Sequence, residues 1–114
     1  MKNILRIDDY SAVIEFDPET NQFRGEFIGL NGGADFYGTS TKELIKEGHR
    51  SLQTFLQVCE EENIDPRKHF SGKFVVRVDP GVHQAAVFAA SSEGKSLNQW
   101  AVDVLAQAAK EAAA

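Results

Sequence analysis

The sequence predicts an α+β fold in two parts, residues 1–70 and residues 71–114. Short runs in the first part alternate apolar and polar residues, which is the period of a half-buried strand. A long amphipathic helix pattern follows these runs. The second part combines one short apolar run with two helices that have clear start and stop signals. We therefore expect a three-stranded antiparallel sheet covered by one helix, followed by a smaller strand–helix–helix unit.

The three predicted strands of the first part are Tyr10–Phe16, Phe23–Ile28 and Ala34–Tyr37. Turn-forming residues separate the first two strands, so they should form a hairpin. In the third strand, Phe36 is the expected core residue. Residues 1–9 are compatible with a further strand or with an ordered arm, and the pattern does not separate the two. One face of the first strand should be buried through Tyr10, Ala12, Ile14 and Phe16, and one face of the second through Phe23, Gly25 and Phe27.

The helix of the first part should begin at Ser40, because Ser40 and Glu43 form a capping-box pattern. It should end near Asn63, since Pro66 disfavours a helical residue before it. Its expected buried face consists of Leu44, Ile45, Gly48, Leu52, Phe55, Leu56 and Cys59.

The second part opens with the run Lys73–Val78, which is rich in β-branched and aromatic residues and is typical of a strand. Alternate side chains of a strand point to opposite faces. One face is wholly apolar and consists of Phe74, Val76 and Val78. The other face is basic at both ends and consists of Lys73, Val75 and Arg77.

Two helices should follow this strand. Asp79 is a suitable N-cap and Pro80 suits the first helical position. The first helix should run to about Glu93 and end at Gly94, the expected left-handed residue. Ser96 should cap the second helix, whose apolar stripe consists of Leu97, Trp100, Ala101, Val104, Leu105 and Ala108.

About forty residues with a single strand bury too little apolar surface to fold alone. Pairing Phe74–Val78 with the same strand of a second copy would supply both a core and strand hydrogen bonds. We therefore expect a dimer, or a tetramer built from dimers. The predicted dimer core consists of Phe74, Val76, Val78 and Trp100.

This second part resembles the ribbon-helix-helix family of DNA-binding domains, the Arc and MetJ type. The resemblance implies that three alternating strand residues enter the major groove of operator DNA, and here these are Lys73, Val75 and Arg77. Arg and Lys can donate to guanine, and Val can contact a thymine methyl group. The resemblance also implies that a DNA phosphate docks on the backbone N–H groups of Ser96, Leu97 and Asn98, where the helix dipole favours an anion.

The net charge of −5 is distributed unevenly. Residues 1–70 hold eight of the 12 basic and thirteen of the 17 acidic residues, whereas residues 71–114 are neutral overall. An acidic first part repels phosphate and attracts a basic protein. No apolar run approaches a membrane span, no secretion signal is evident, and Cys59 cannot form a disulfide within the chain. These features predict a cytoplasmic protein.

Nothing in the sequence indicates catalysis. The acidic residues of the first part occupy ordinary solvated positions, and the histidines show no metal-ligand spacing with Cys59. Gly29–Gly33 lacks a phosphate-binding spacing and predicts a plain turn. We expect no catalytic residue, no metal and no cofactor. Tyr37 should face outward, which suits either a protein interface or an isolated surface tyrosine.

The chain as a whole resembles the HicB-type antitoxins of bacterial type II toxin–antitoxin systems. In the first part the resemblance rests on Tyr10, Val13-Ile14-Glu15-Phe16-Asp17-Pro18, Gly25, Gly29-Leu30, Gly38, Ser40 and Glu43. In the second part it rests on the segment Gly94-Lys95-Ser96-Leu97-Asn98-Gln99-Trp100.

The resemblance implies that residues 1–70 form a partially degraded ribonuclease-H-like domain without catalysis. This domain would bind and block a small, basic, mRNA-cleaving HicA-like toxin. Residues 71–114 would dimerise and repress the protein's own operon by binding its operator. The alternative is an orphan ribbon-helix-helix regulator that has no cognate toxin.

Overall fold

A computed structural model describes residues 3–113. The chain divides into two compact units, one formed by Asn3–Phe70 and the other by residues 71–113. The first unit contains four strands and one helix, and the second contains two helices. The α+β class is as predicted, but the sheet has four strands rather than three.

The sheet is antiparallel and its strands follow chain order. They are β1 (Ile4–Ile7), β2 (Tyr10–Asp17), β3 (Gln22–Ile28) and β4 (Asp35–Gly38). Strand β1, which the sequence left open, pairs Ile7 with Tyr10. The two-residue turn between β1 and β2 consists of Asp8 and Asp9, both with positive φ (48° and 68°). Such a turn needs φ > 0 at both central residues, and Asp tolerates that region better than most residues do.

The buried face of the sheet is the predicted one. Ala12, Phe27 and Phe36 are buried, and Tyr10, Ile14 and Phe23 pack against them. The prediction for Phe16 is wrong, because its side chain is 53% exposed. Phe16 lies near the end of β2 and meets Phe23 edge-on, with ring centroids 5.6 Å apart.

Helix α1 (Thr41–Glu62) packs on this face. The Ser40 hydroxyl accepts a hydrogen bond from the Glu43 N–H at 3.1 Å, which confirms the N-cap. Asn63 ends the helix in the left-handed conformation. The predicted stripe is buried at Leu44, Gly48, Leu52 and Cys59 and partly buried at Phe55 and Leu56. Ile45 is 41% exposed instead, because it lies about 100° around the helix from Leu44.

The segment after α1 folds back along the loop that follows β3. Asn31 N–H donates to the Pro66 carbonyl and Lys68 N–H donates to the Gly29 carbonyl, each at 2.9 Å. Leu30 lies between these bonds and is only 8% exposed. The loop is therefore more than the plain turn that the sequence predicted, because it adds a residue to the core.

The second unit contains α2 (Pro80–Ser92) and α3 (Leu97–Ala113). Gly94 has the predicted positive φ of 68°. Asp79 occupies the N-cap position of α2, but its side chain makes no capping hydrogen bond. Ser96 does cap α3, since its hydroxyl accepts from the Gln99 N–H at 3.0 Å. Within residues 3–113, no helix has the length and apolar character that crossing a membrane requires.

Candidate functional site

The predicted strand of the second unit carries the candidate site. In this single chain, residues 73–79 belong to neither a helix nor a paired strand. Phe74, Val75, Val76 and Val78 are 73%, 86%, 60% and 52% exposed. Four of the five side chains from Phe74 to Val78 are therefore large and apolar and face solvent in the absence of a second chain.

A groove of about 690 Å³ lies between this segment and the two helices. It is lined by Val76 and Val78 together with apolar residues of α2 and α3, among them Val82, Leu97, Trp100 and Val104. Arg77 lines the groove as well and Phe74 does not, so the alternation of faces predicted for a paired strand stays a prediction in the single chain. Among the described hydrophobic residues of this unit, only Ala90 is buried, at 1% exposure. So little core cannot hold two helices together without further burial.

The predicted base-reading residues lie along the same segment. Val75 is the most exposed of the large apolar residues, at 86%. Among residues 3–113, neither Lys73 nor Arg77 forms an ion pair. Lys73 is fixed through its backbone, because its N–H donates to the Ser71 hydroxyl at 3.1 Å. Arg77 also lines the 690 Å³ groove. The two cationic side chains are thus available to a partner.

The predicted phosphate site is the N-terminus of α3. The Ser96 hydroxyl is already used as the cap for Gln99, and the Ser96 carbonyl accepts from the Trp100 N–H at 3.0 Å. The N–H groups of Leu97 and Asn98 belong to the first turn and have no acceptor within the helix. This 17-residue helix therefore offers two backbone donors and its positive dipole end to an anion.

Lys95 was missing from the predicted site, yet it lies directly before this helix. Its Nζ is 2.9 Å from the Asp103 carboxylate and 3.6 Å from that of Glu93. The hydrogen bond to Asp103 is the main reason that the pKa of Lys95 is raised. The same bond, followed by one from Gln99, lowers the pKa of Asp103. Sequence spacing gave no signal for this pair, because eight residues across a turn is not a helical contact distance.

Trp100, predicted as dimer core, is half-buried in the single chain. Its indole N–H donates to the Glu93 carboxylate at 2.9 Å. The rest of the ring lines the apolar groove. A buried tryptophan usually finds such a partner for its N–H, so this ring can enter a core without losing a hydrogen bond.

Residues 55–105 match the model of the HicB family. The match supports a HicB-type protein, although it covers less than half of the 114-residue chain. It includes the end of α1, the segment 73–79, all of α2 and the N-terminal half of α3. No curated protein and no solved structure gave a significant match.

The HicB-type match leaves the sheet of the first unit uncovered. The outer face of that sheet carries the charged residues Glu15, Arg24, Glu26 and Asp35 beside Ile28 and Tyr37, which are 44% and 42% exposed. Arg24 lies between two acidic residues, 2.6 Å from Asp35 and 3.0 Å from Glu26. The bond to Asp35, followed by one to Tyr37, raises the pKa of Arg24 above its ordinary value. Arg24 is therefore engaged within the sheet, whereas Glu15 on the same face is exposed.

No group of His, Cys, Asp and Glu side chains among residues 3–113 is arranged to hold a metal ion. Cys59 is buried on the side of α1 that faces the core, as predicted, and its thiol forms no disulfide. His49 and His69 instead contact single carboxylates, Asp8 at 3.2 Å and Asp65 at 2.7 Å. These two pairs are surface ion pairs or hydrogen bonds between isolated partners.

Proposed function

We propose that this protein is a bacterial antitoxin of the HicB type. Its first unit binds and blocks a small, basic, mRNA-cleaving toxin in the cytoplasm. Its second unit dimerises as a ribbon-helix-helix domain and represses its own operon. The first unit serves as a binding surface and has no catalysis of its own.

The observation that carries this proposal is the exposed apolar segment Phe74–Val78 within the part of the chain that matches HicB. In the proposed dimer, two copies of the segment pair antiparallel. Phe74, Val76 and Val78 then turn toward the two helix pairs. Burying several Val- and Phe-sized side chains contributes on the order of 1.5–3 kcal/mol each. Pairing also satisfies the backbone groups that one chain leaves free.

The same pairing places Lys73, Val75 and Arg77 of both copies on one outward surface. A two-stranded ribbon fits the major groove of B-DNA. The N-terminus of α3, with the Leu97 and Asn98 N–H groups, then holds a phosphate and fixes the register of the ribbon. The near-neutral charge of this unit makes two copies necessary, because doubled contacts supply the avidity that one copy lacks.

The acidic balance of residues 1–70 supports the toxin-binding half of the proposal. A nuclease that binds RNA carries a basic surface, and an acidic protein competes for that surface. Electrostatic attraction of this kind increases the rate of association more than the final affinity.

A binding titration tests the DNA half directly. The probe is DNA from immediately upstream of the gene, with scrambled DNA of the same composition as a control. The variants are Lys73→Ala/Arg77→Ala and a charge-matched control, Lys42→Ala/Lys46→Ala, on the exposed side of α1. We expect wild type and control to prefer the upstream DNA, with affinity that falls as salt rises. The ribbon variant should lose this preference while it stays folded.

The absence of a HicB match over the sheet favours a second candidate, an orphan DNA-binding regulator. In that case, the wild-type protein would bind the upstream DNA as above. A small basic protein encoded beside the gene would then be absent, or its co-expression with this protein would neither restore growth nor yield a complex. A failure of the wild type to prefer that DNA would contradict both candidates.

A further inference from the structure

Strand β4 lies at the edge of the sheet and has one side without a strand partner. Phe27 N–H donates to the Ala34 carbonyl at 3.1 Å, which fixes the phase of the β3–β4 ladder. Hydrogen-bonded pairs alternate in an antiparallel ladder. Phe36 and Gly38 therefore turn their backbone groups toward β3, while Asp35 and Tyr37 turn theirs toward the free edge.

One of these outward groups is already engaged. The Ser51 hydroxyl of α1 donates to the Asp35 carbonyl at 2.9 Å. Among residues 3–113, the hydrogen bonds do not include the Asp35 N–H, the Tyr37 N–H or the Tyr37 carbonyl. The edge therefore keeps two donors and one acceptor, spaced as an added strand requires.

A groove of about 840 Å³ runs along this edge. One wall is β4, and the other wall is a single face of α1 that includes Glu47, Ser51, Phe55 and Val58. Tyr37 and Val58 are 42% and 45% exposed. The groove thus combines a free strand edge with apolar contact area, which is the arrangement that binds extended peptides.

The charges at the groove select the kind of segment it takes. Its lining includes three acidic residues, Asp35, Glu43 and Glu47, and one basic residue, Arg50. Arg50 lies 3.7 Å from Glu47 and Arg24 lies 2.6 Å from Asp35, so among the described residues Glu43 is the lining carboxylate that has no ion-pair partner.

We propose that an extended, cationic segment of a partner protein adds to the free edge of β4 and lies in the groove against α1. Its backbone pairs with Asp35 and Tyr37. Its apolar side chains contact Phe55 and Val58, and its Lys or Arg side chains face the acidic lining. This inference rests on the proposed antitoxin function in one respect, namely that the partner is the basic toxin.

The test uses the full-length protein and any small basic protein that a neighbouring gene encodes, inactivated so that both can be produced together. Tyr37→Pro removes the outward N–H without removing a bond to β3, and edge strands tolerate proline. Tyr37→Val keeps that N–H and loses the same aromatic ring. Val58→Arg adds bulk and positive charge inside the groove, and Gln57→Arg adds the same charge on the neighbouring residue outside it.

We expect Tyr37→Pro and Val58→Arg to weaken the complex roughly tenfold or more, about the effect of one lost hydrogen bond or contact. Tyr37→Val should bind more tightly than Tyr37→Pro, and Gln57→Arg should bind as wild type does. Hydrogen exchange at the Tyr37 amide should slow in the complex. The Phe36 amide, which β3 already protects, should change little. If the proline variant does not fold, the comparison of Val58→Arg with Gln57→Arg still tests the groove.

The outcomes separate the groove from the function. The groove proposal would be overturned if the complex forms with the same affinity in all these variants and hydrogen exchange at the Tyr37 amide does not slow in it. The antitoxin proposal would then still stand. If no complex forms, the antitoxin proposal fails, and the probe becomes a synthetic peptide of about eight residues alternating Lys and Val. Slower Tyr37 exchange with this peptide, but not with a Glu–Val peptide, would support the groove. No change with either peptide would overturn it.

Discussion

The Nζ of Lys95 and the Oδ2 of Asp103 lie 2.9 Å apart and join the turn before α3 to the middle of that helix. Glu93, on the other side of the turn, approaches the same Nζ at 3.6 Å. Lys95 therefore holds the α2–α3 turn in place beside the backbone donors of Leu97 and Asn98. The candidate phosphate site depends on a side chain that itself need not contact DNA.

Lys95→Met should lower stability at neutral pH by a small amount, because both charged ends are reached by water. The pKa of Asp103 is lowered, so the pair contributes above the unfolded pKa of Asp and is lost as pH falls through the folded value. The pKa of Lys95 is raised, so the contribution persists in base until pH exceeds that raised value. Melting temperatures measured from neutral to acidic pH should show the two proteins converging in acid. A difference in melting temperature between wild type and Lys95→Met that stays constant with pH would contradict this account. The same holds if the exposed Lys110→Met shows the same difference.

Gly25→Ala should destabilise the first unit by about 1–3 kcal/mol, the usual cost of overfilling a core. A Cβ at Gly25 would overlap the ring of Phe36 on the neighbouring strand. At Gly33, by contrast, a Cβ would meet no atom within 4 Å. Urea unfolding should therefore separate Gly25→Ala from the control Gly33→Ala. Equal midpoints for the two variants would show that Phe36 can move aside freely.

Much of the first unit follows from local patterns. Alternation predicted the residues of β2 and β3 that face the helix, except Phe16, and the capping box predicted where α1 begins. Strand β1 was left open because its turn, Asp8-Asp9, lacks the glycine that usually signals a two-residue hairpin. Leu30 was assigned to a turn because its burial depends on Pro66 and Lys68, which lie far along the chain.

The second unit was predictable in a different sense. Its helix bounds follow from Pro80, Gly94 and Ser96, all of which act locally. The conformation of Phe74–Val78 does not follow from local signals, because a strand needs a hydrogen-bonded partner and a single chain supplies none. The Lys95–Asp103 contact joins a turn residue to a residue of α3 eight positions later, a spacing that no helical contact rule predicts.

Val78→Asp should dissociate the proposed dimer, because it places an unpaired carboxylate in the apolar core between two copies. Val75→Asp is the matched control, since Val75 lies on the opposite, outward face. We expect sedimentation to show monomers for Val78→Asp and dimers for wild type and Val75→Asp. The melting temperature of the second unit should rise with protein concentration only in the two dimeric proteins. Dimers of undiminished affinity in Val78→Asp would refute the strand pairing.

Asp65→Asn should loosen the segment that folds back after α1. The Asp65 carboxylate accepts from the Arg67 N–H at 3.0 Å and meets His69 at 2.7 Å. The bond from Arg67, followed by that from His69, lowers the pKa of Asp65. The stabilisation is therefore present above the unfolded pKa of Asp and is lost as pH falls through the folded value.

Hydrogen exchange at the Asn31 and Lys68 amides measures this loosening, because both donate across the folded-back segment. In Asp65→Asn, exchange should be faster than in wild type at neutral pH, and the difference should vanish in acid. Asp17→Asn replaces a similar carboxylate acceptor in the β2–β3 turn with a neutral one and should leave both amides unchanged. Equal protection in wild type and Asp65→Asn would mean that Leu30 burial alone holds the segment.

Arg77→Ala should weaken binding to the upstream DNA by roughly 1–3 kcal/mol and relax specificity at one base pair of each half-site. The reason is that a guanidinium can make a bidentate contact to a single guanine. Titrations against a set of DNA duplexes, each with one base pair changed, measure both effects. Lys110→Ala removes the same charge near the end of α3 and should leave the base preference intact. If Arg77→Ala weakened all the duplexes equally, Arg77 would contact phosphate, and Lys73 would be the remaining cationic base reader.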